Sequence, residues 1–406
     1  MYPALLLGVN IMSKSVVYFS DRNSQPYYNM LDKLEHVFQE LGLNDAIKPG
    51  YKVMIKTHFG AWGNTNYIRP AYVRKIVDLV KSLGAHPVVA ESCGLGYGPG
   101  GSYGGRTTSP EYLSLAALNG FSSGTLGAPI IMADGYWGTD VHRVPVNGEY
   151  IKDVDVAAAL LDFDIVIMLT HAKGHGLGGL GGAIKNLGIG LVGKRGKAAM
   201  HFGAISLDES KCLGPECSKC LKVCPVRCIT MEDKAKIAVD DCISCGHCRS
   251  VCSRDAKANA INIQWNPAIA QAPRFVENAV GVVNSIGPEK FYYLSLALDI
   301  SDKCDCWNTG AELLVHDIGI FGSQDPLAID QACFDAINDA PSNPSSMVGD
   351  LQPGENKLKI AHDQKDPDTG ELVCLSENQF SHAEKMGLGK REYEIVTLSR
   401  EAPERK

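Results

Sequence analysis

Nine of the fourteen cysteines crowd into the forty-odd residues between Cys212 and Cys252, and eight of them fall into two runs. The first reads Cys212-x4-Cys217-x2-Cys220-x3-Cys224-Pro225 and the second Cys242-x2-Cys245-x2-Cys248-x3-Cys252. This is close to the bacterial spacing by which thiolates hold iron–sulfur clusters, in which the fourth cysteine of each run serves the other cluster. The crossing predicts one cluster on Cys212, Cys217, Cys220 and Cys252 and another on Cys242, Cys245, Cys248 and Cys224. Both are expected as [4Fe–4S], with a [3Fe–4S] form of either as the alternative. Zinc ribbons also use paired Cys-x2-Cys, but two four-ligand runs, the first closed by Cys-Pro, favour iron and sulfide. The first run carries two extra residues, assigned to Gly214-Pro215, and the second ends in Ser253 where proline is usual. Neither change removes a thiolate. Cys228, just past the first run, is expected to be a packed thiol beside a cluster.

Two further groups of residues have chemical potential. In open α/β sheets, ligands lie beyond the carboxyl ends of the strands. Here those ends are loaded with Lys56, His58 and Gly60, then Glu91-Ser92-Cys93 and a glycine-rich stretch to Arg106, then His171-Ala172-Lys173-Gly174-His175 leading to Lys185 and Asn186. Lys56, His58, His171, Lys173 and His175 are candidates for ligand binding or proton transfer, and Lys185 and Asn186 for holding a cofactor. The cations, amides and glycines suit a small anionic ligand or a cofactor phosphate. Gly176-x-Gly178-x-x-Gly181 satisfies the dinucleotide fingerprint, yet no acidic residue ends a further strand some twenty residues on, as that fingerprint requires. His171 and His175 are four residues apart, but the glycines around them argue against a helical metal pair. The second group is Cys304-Asp305-Cys306, flanked by Asp302 and Trp307, which fits either a metal site or a redox dithiol. Asp325-Pro326 reads as a helix N-cap and first turn.

The elements that must position these residues are those of an α/β protein, a mainly parallel sheet flanked by helices. Strands are predicted at Ser15–Ser20, Lys52–Thr57, His86–Glu91, Ile130–Ala133 and Asp164–Thr170, with helices at Tyr28–Leu41 and Ala71–Leu83. From about residue 207 to 265 the texture becomes cysteine-rich, with short strands at Ile237–Val239 and Ile261–Ile263. The α/β pattern then resumes as a helix at Pro273–Ser285 and strands at Phe291–Leu298 and Leu313–Phe321. A tail rich in Asn, Ser, Pro and Gly ends in a helix near His382–Met386 and a strand at Tyr393–Leu398. The expected organisation is a first α/β part (13–206), a small ferredoxin-like α+β insert (207–265) and a second α/β part with an extension (266–406).

IKTHFG-x2-GNT, HAKGHGLGGLGGAIKNLGIG, CDCW and GIFGSQDPLAID, around an inserted pair of cluster motifs, together resemble the domain-of-unknown-function family 362, in its branch with a built-in bacterial-type 2[4Fe–4S] ferredoxin domain. That resemblance implies cluster binding and a redox role and supplies no substrate.

Composition narrows the function classes. A net charge of −7 without long basic runs argues against a nucleic-acid partner. No stretch approaches the roughly 20 apolar residues of a membrane span. The opening MYPALLLGVNIM lacks the basic region and cleavage site of a signal peptide, and Met12 is an alternative start. Clumped cysteines in a chain of this size point to a reducing cytoplasm. The expected activity is that of an iron–sulfur oxidoreductase exchanging electrons with a donor or acceptor protein and a pocket ligand. A non-enzymatic electron carrier or subunit, and a metallocentre or cofactor assembly protein, are the alternatives.

Overall fold

The computed structural model describes residues 14–95, 105–361, 364–365 and 369–399. The opening stretch through Met12 and most of the glycine-rich segment before Gly105 lie outside the described residues.

In chain order the elements that matter to the site are β1 (Ser15–Asp21), α1 (Met30–Glu40), β2 (Lys52–Lys56), α2 (Pro70–Ser82), β3 (His86–Glu91), β4 (Ile130–Met132), β5 (Ile165–His171) and α3 (Ala183–Gly190). They continue with α4 (His247–Arg254), α5 (Ala268–Ile286), β6 (Phe291–Ala297), β7 (Gly319–Ser323), α6 (Pro326–Asp339), α7 (Leu375–Lys385) and β8 (Tyr393–Thr397). The eight strands form one sheet in the order β8-β1-β7-β6-β5-β2-β3-β4. All neighbours run parallel except β7, which is antiparallel to both β1 and β6. The α/β class expected from the pattern is therefore the observed one, and strands from both sides of the cysteine-rich segment share the sheet.

β5 shows why the sheet is buried on both faces. Ile165, Ile167 and Leu169 pack with α1 and α2 on one side, while Val166 and Met168 pack with α3, α5 and α6 on the other. Its IVIMLT run is continuous rather than alternating, as a strand covered on both faces requires. Each such side chain withdrawn from water contributes on the order of 1.5–3 kcal/mol.

Four boundaries differ from those expected, one being the C-terminal helix expected near His382–Met386, which runs Leu375–Lys385. The strand predicted at Leu313–Phe321 begins only at Gly319. Residues before it are used as a crossing loop, with Leu314 N–H donating to Ile300 and Leu314 carbonyl accepting from Asn343. The insert strand predicted at Ile237–Val239 lies at Ala235–Ile237, because Val239 opens the tight turn that leads to Cys242. Helix α5 starts five residues before Pro273. Proline there removes the N–H that Ile269 carbonyl needs, and Asn378 Nδ2 donates to that carbonyl at 2.7 Å instead. A hairpin of Val141–Pro145 with Asp153–Ala157 was not foreseen.

The insert enters and leaves through an antiparallel ladder, Phe202–Leu207 against Ile261–Trp265. Between these strands sit the hairpin Ile229–Met231 with Ala235–Ile237, a short helix Lys219–Val223 and α4. A small core of Cys228, Ile229, Ala235, Ala260 and Ile261 joins the cysteines.

Glu277 on α5 anchors the turn of the Val141–Ala157 hairpin. Its fully buried carboxylate accepts from the N–H groups of Glu149, Tyr150 and Ile151 at 2.6–3.2 Å and from His382 Nε2 at 3.1 Å. Burial raises its pKa, but the His382 and backbone hydrogen bonds outweigh burial and hold it below its ordinary 4.5. A depressed carboxyl pKa stabilises the fold above the unfolded-state value, and that contribution disappears as pH falls through the folded-state value. Glu277→Gln is expected to lower the unfolding free energy at pH 7 by about 2–3 kcal/mol. The gap between parent and variant should close as denaturation curves are repeated below pH 4.5.

Candidate functional site

The carboxyl ends of β2, β3 and β5 open onto a cavity of about 730 Å³. One wall is the sheet edge and α3: His58, Glu91, Ser92, Lys185, Asn186 and Gly190. The opposite wall is the outer face of α4, with Arg249, Ser250, Ser253 and Arg254. α4 also carries Cys248 and Cys252, so the cavity lies between the sheet edge and the cysteine-bearing helix. Trp265, Phe275, Trp307 and Tyr112 supply its apolar surface.

Behind the wall, buried charges are matched in pairs. Lys56 Nζ lies 2.8 Å from Glu91 Oε1 and donates to Asn186 Oδ1 at 2.8 Å. Asn186 Nδ2 in turn donates to Thr170 Oγ1 at 3.0 Å. Burial lowers the Lys56 pKa and the adjacent Glu91 opposes it. Lys197 Nζ donates to Ser92 Oγ and to Cys93 carbonyl at 2.7 and 2.6 Å. Lys56 therefore supports Glu91 and Asn186 from behind and does not itself line the cavity.

The sequence singled out glycines in the 176–182 stretch as places for a ligand to approach, yet a side chain at Gly178 would meet Phe275 and one at Gly182 would meet Asp330. The glycines of the helix that follows also approach protein. A side chain at Gly188 meets the Phe275 carbonyl of α5, and one at Gly190 meets Lys56 Nζ, so α3 packs hard against both. The N-terminus of α3 is held by Asp330 of α6, which accepts from Ala183 and Ile184 N–H at 2.6 and 2.9 Å. Two donors and the helix dipole offset part of the cost of burying that carboxylate, though burial pushes its pKa up to about 7.

His171 and Lys173 face away from the cavity lining and join Asp305. The Asp305 Oδ1 atom is 2.8 Å from His171 Nδ1 and 3.2 Å from Lys173 Nζ, and the Leu298 carbonyl accepts from His171 Nε2 at 2.6 Å. Burial raises the Asp305 pKa, yet His171 and Lys173 beside it hold it well below the usual carboxylate range. The loop around Asp305 is further tied by Asn64 Nδ2 to Trp307 carbonyl at 2.7 Å and Arg106 Nη2 to Cys306 carbonyl at 2.8 Å. These four residues position the Cys304–Cys306 segment.

His58 and His175 do line the cavity. Burial, with Arg106 beside it, pulls the His58 pKa well below 6.5. Gly60 N–H faces its Nδ1 at 2.9 Å and Arg106 Nη1 its Nε2 at 3.0 Å, so a second ring proton gains nothing. Lys185 Nζ stands 3.5 Å from Cys304 Sγ and 3.7 Å from Cys306 Sγ, and burial together with Arg106 brings its pKa down to about 8. His201, another lining residue, is pulled to about 4 by burial. Arg106, Lys185, Lys197, Arg249 and Arg254 thus confront a single lining carboxylate, Glu91. The sequence did not single out Lys197, His201, Arg249, Arg254 or Trp265, because none follows a strand end of the sheet.

In the insert, Cys212, Cys217, Cys220 and Cys252 line one small cavity walled by Leu207, Ala258, Ala260 and Ile261. Cys242 and Cys224 are electrostatic neighbours of Cys245, and Cys242 and Cys245 of Cys248. Cys228 is buried, 3.6 Å sulfur to sulfur from Cys224. Backbone N–H groups already face two sulfurs, Ala260 toward Cys252 at 3.2 Å and Ser244 toward Cys242 at 3.3 Å. Thiolate donors in an apolar shell, with N–H groups aimed at sulfur, are the environment an iron–sulfur cluster needs. The extra residues of the first run fold as one tight turn, Gly214–Glu216, which leaves Cys212 and Cys217 on the same cavity.

Fold and site together define an α/β protein with a ferredoxin-like iron–sulfur segment set into it. The chain belongs to the family described as Domain of unknown function (DUF362), whose pattern matches residues 53–335. It is 40% identical over 55 residues to a ferredoxin of Methanothermococcus thermolithotrophicus, spanning 13% of this chain and 92% of that protein. It is 42% identical over 55 residues to an uncharacterized ferredoxin of Methanocaldococcus jannaschii, 13% of this chain and 89% of that protein. A 7Fe ferredoxin of Hydrogenibacillus schlegelii is 48% identical over 42 residues, 10% of this chain and 54% of that protein. Among solved structures, the lactate racemase apoprotein from Thermoanaerobacterium thermosaccharolyticum matches with a TM-score of 0.39 and 10% identity, over 94% of this chain and 82% of that one. No described helix is long and apolar enough to cross a membrane.

The Lys56–Glu91 pair gives a direct test of how the cavity wall is held. Lys56→Met strands a buried carboxylate and is expected to cost about 3–5 kcal/mol, whereas Lys56→Met combined with Glu91→Leu should recover most of that loss. A double-mutant cycle of urea unfolding measures both.

Proposed function

We propose that the protein is an oxidoreductase in which electrons pass between two [4Fe–4S] clusters and a small anionic ligand held in the cavity at the sheet edge. The observation that carries this reading is the shared wall: one helix, α4, contributes Cys248 and Cys252 to the cysteine-rich insert and Arg249, Ser250, Ser253 and Arg254 to the cavity. An electron source placed one helix thickness from a ligand site needs no separate carrier protein between them. The ligands would be Cys212, Cys217, Cys220 and Cys252 for one cluster and Cys242, Cys245, Cys248 and Cys224 for the other. Once bound, the clusters supply single electrons at potentials set by the N–H groups and apolar shell around the sulfurs.

This chain's own residues do the rest. Five cations on the lining, with Lys185 and Lys197 deep and Arg249 and Arg254 on the insert side, attract and orient an anion. A cavity of this volume suits a molecule of cofactor or metabolite size, and the aromatic residues exclude water from its flat faces. Burial keeps His58 and His201 neutral at the lining, where they offer hydrogen-bonding groups rather than charge. The electrons come from, or go to, a separate protein in a reducing compartment.

The test is anaerobic purification with iron and sulfide counting and mass identification of whatever organic anion accompanies the protein. About eight iron and eight sulfide per chain are expected, falling to about four of each in Cys245→Ser. Arg249→Glu with Arg254→Glu should release the anion without changing the iron count. Full clusters with no anion retained, in a protein that only relays electrons, is the outcome that favours a carrier instead.

A further inference from the structure

The Cys304-Asp305-Cys306 segment is built for more than a turn. Of the fourteen cysteines, twelve are free and these two are joined through their sulfurs, with Cα atoms 5.4 Å apart. Cys306 lines the cavity, whereas Cys304 is buried at 4% exposure. Lys185 Nζ reaches both sulfurs, and Cys306 N–H donates to Cys304 Sγ at 3.4 Å. A cation and an N–H aimed at sulfur favour the thiolate over the thiol. The intervening Asp305 is clamped by His171 and Lys173, so the two sulfurs return to the same place after each opening of the bond.

The same donors invite a metal. A ring nitrogen of His175 and the two sulfurs lie within 4.8 Å of one another. His175 argues against it. Leu177 N–H donates to its Nδ1 at 3.3 Å, a contact that favours the neutral tautomer protonated on Nε2. Metal-binding histidines show the reverse, donating an N–H from the distal nitrogen.

We infer that Cys304 and Cys306 are a redox-active dithiol–disulfide at the cavity wall, a two-electron store between the one-electron iron–sulfur segment and the cavity. Reduction breaks the sulfur–sulfur bond. It takes two electrons, delivered singly through the insert from a low-potential donor protein, and two protons from solvent through the cavity. If the Lys185 ammonium holds one sulfur as thiolate, one proton suffices. Reoxidation passes the electron pair to a reducible anionic ligand, which takes up the one or two protons released by the thiols through the cavity, and re-forms the sulfur–sulfur bond. The inference rests on the proposed electron path from the insert; it assigns His171 and Lys173 a positioning role and gives Lys185, which also lines the cavity, the charge that faces the two sulfurs.

The test is differential alkylation of the anaerobic full-length protein, read by mass spectrometry of the peptide spanning Cys304 and Cys306. In dithiothreitol redox buffers the two cysteines are expected to become alkylatable together, in a single two-electron transition. Lys185→Met should shift the disulfide-to-dithiol ratio about tenfold toward disulfide at fixed buffer, and Lys185→Arg should restore it. Titanium(III) citrate, a one-electron reductant, should open the pair in the parent but not in Cys245→Ser, which dithiothreitol still opens. Should that variant not fold, the Lys185 series still decides, since it needs no cluster. Cysteines alkylated under every condition overturn the inference, as does loss of one zinc or extra iron per chain in Cys304→Ser with Cys306→Ser. Opening by titanium(III) with no anion bound in the cavity upholds the dithiol and rejects the proposed ligand.

Discussion

Charges taken out of water at the carboxyl edge of the sheet must find partners there, and the molecule is organised around meeting that requirement. Asp305 is the central case. Its carboxylate follows the insert in the chain, whereas His171 and Lys173, which neutralise it, precede the insert. Losing either partner strands a buried charge, which costs far more than the pair itself contributes. The two halves of the α/β domain are thereby closed over the point where the cysteine-rich segment departs. Lys56 with Glu91 and Asn186, and Lys197 with Asp134, Ser92 and Cys93, repeat the arrangement nearer the cavity.

Pairing also determines what is left to act. Lys56, His171 and Lys173 are used up in holding the wall, and the residues that reach the cavity are His58, His175, Lys185 and the cations of α4. Helix α3 serves both purposes. Its glycines let it sit against α5 and Lys56, and that close seat puts Lys185 beside two sulfurs and Asn186 against the Lys56 ammonium. A bulkier helix would move Lys185 outward, away from the Cys304–Cys306 loop.

The insert is similarly economical. Its ladder of Phe202–Leu207 with Ile261–Trp265 begins where the α/β domain ends, and His201 and Trp265 at the base of that ladder are themselves lining residues. Rings of His201 and Phe202 rest edge-on against Trp265, at 5.4 and 4.7 Å. The junction is thus packed rather than loosely tethered. A single helix thus carries cysteines of the insert and arginines of the cavity lining.

How much of this was legible in the sequence follows from the range of the interactions involved. Thiolate spacing is a local property, so the two cysteine runs announced an iron–sulfur segment directly. Strand and helix periodicity is local as well, and most sheet strands were legible to within a residue or two. Local pattern does not reveal which partner a buried charge will choose. His171, Lys173 and His175 look equivalent along the chain, yet a carboxylate more than 130 residues away takes the first two and leaves the third at the cavity. Arg249, Arg254 and Trp265 were silent for the same reason, since only the packing of the insert against the sheet edge turns their faces inward. The amino-acid sequence by itself determined the class of fold and the cluster-type cysteines. Long-range charge neutralisation and the docking of α4, which exist only in the folded chain, decided which residues meet around the cavity.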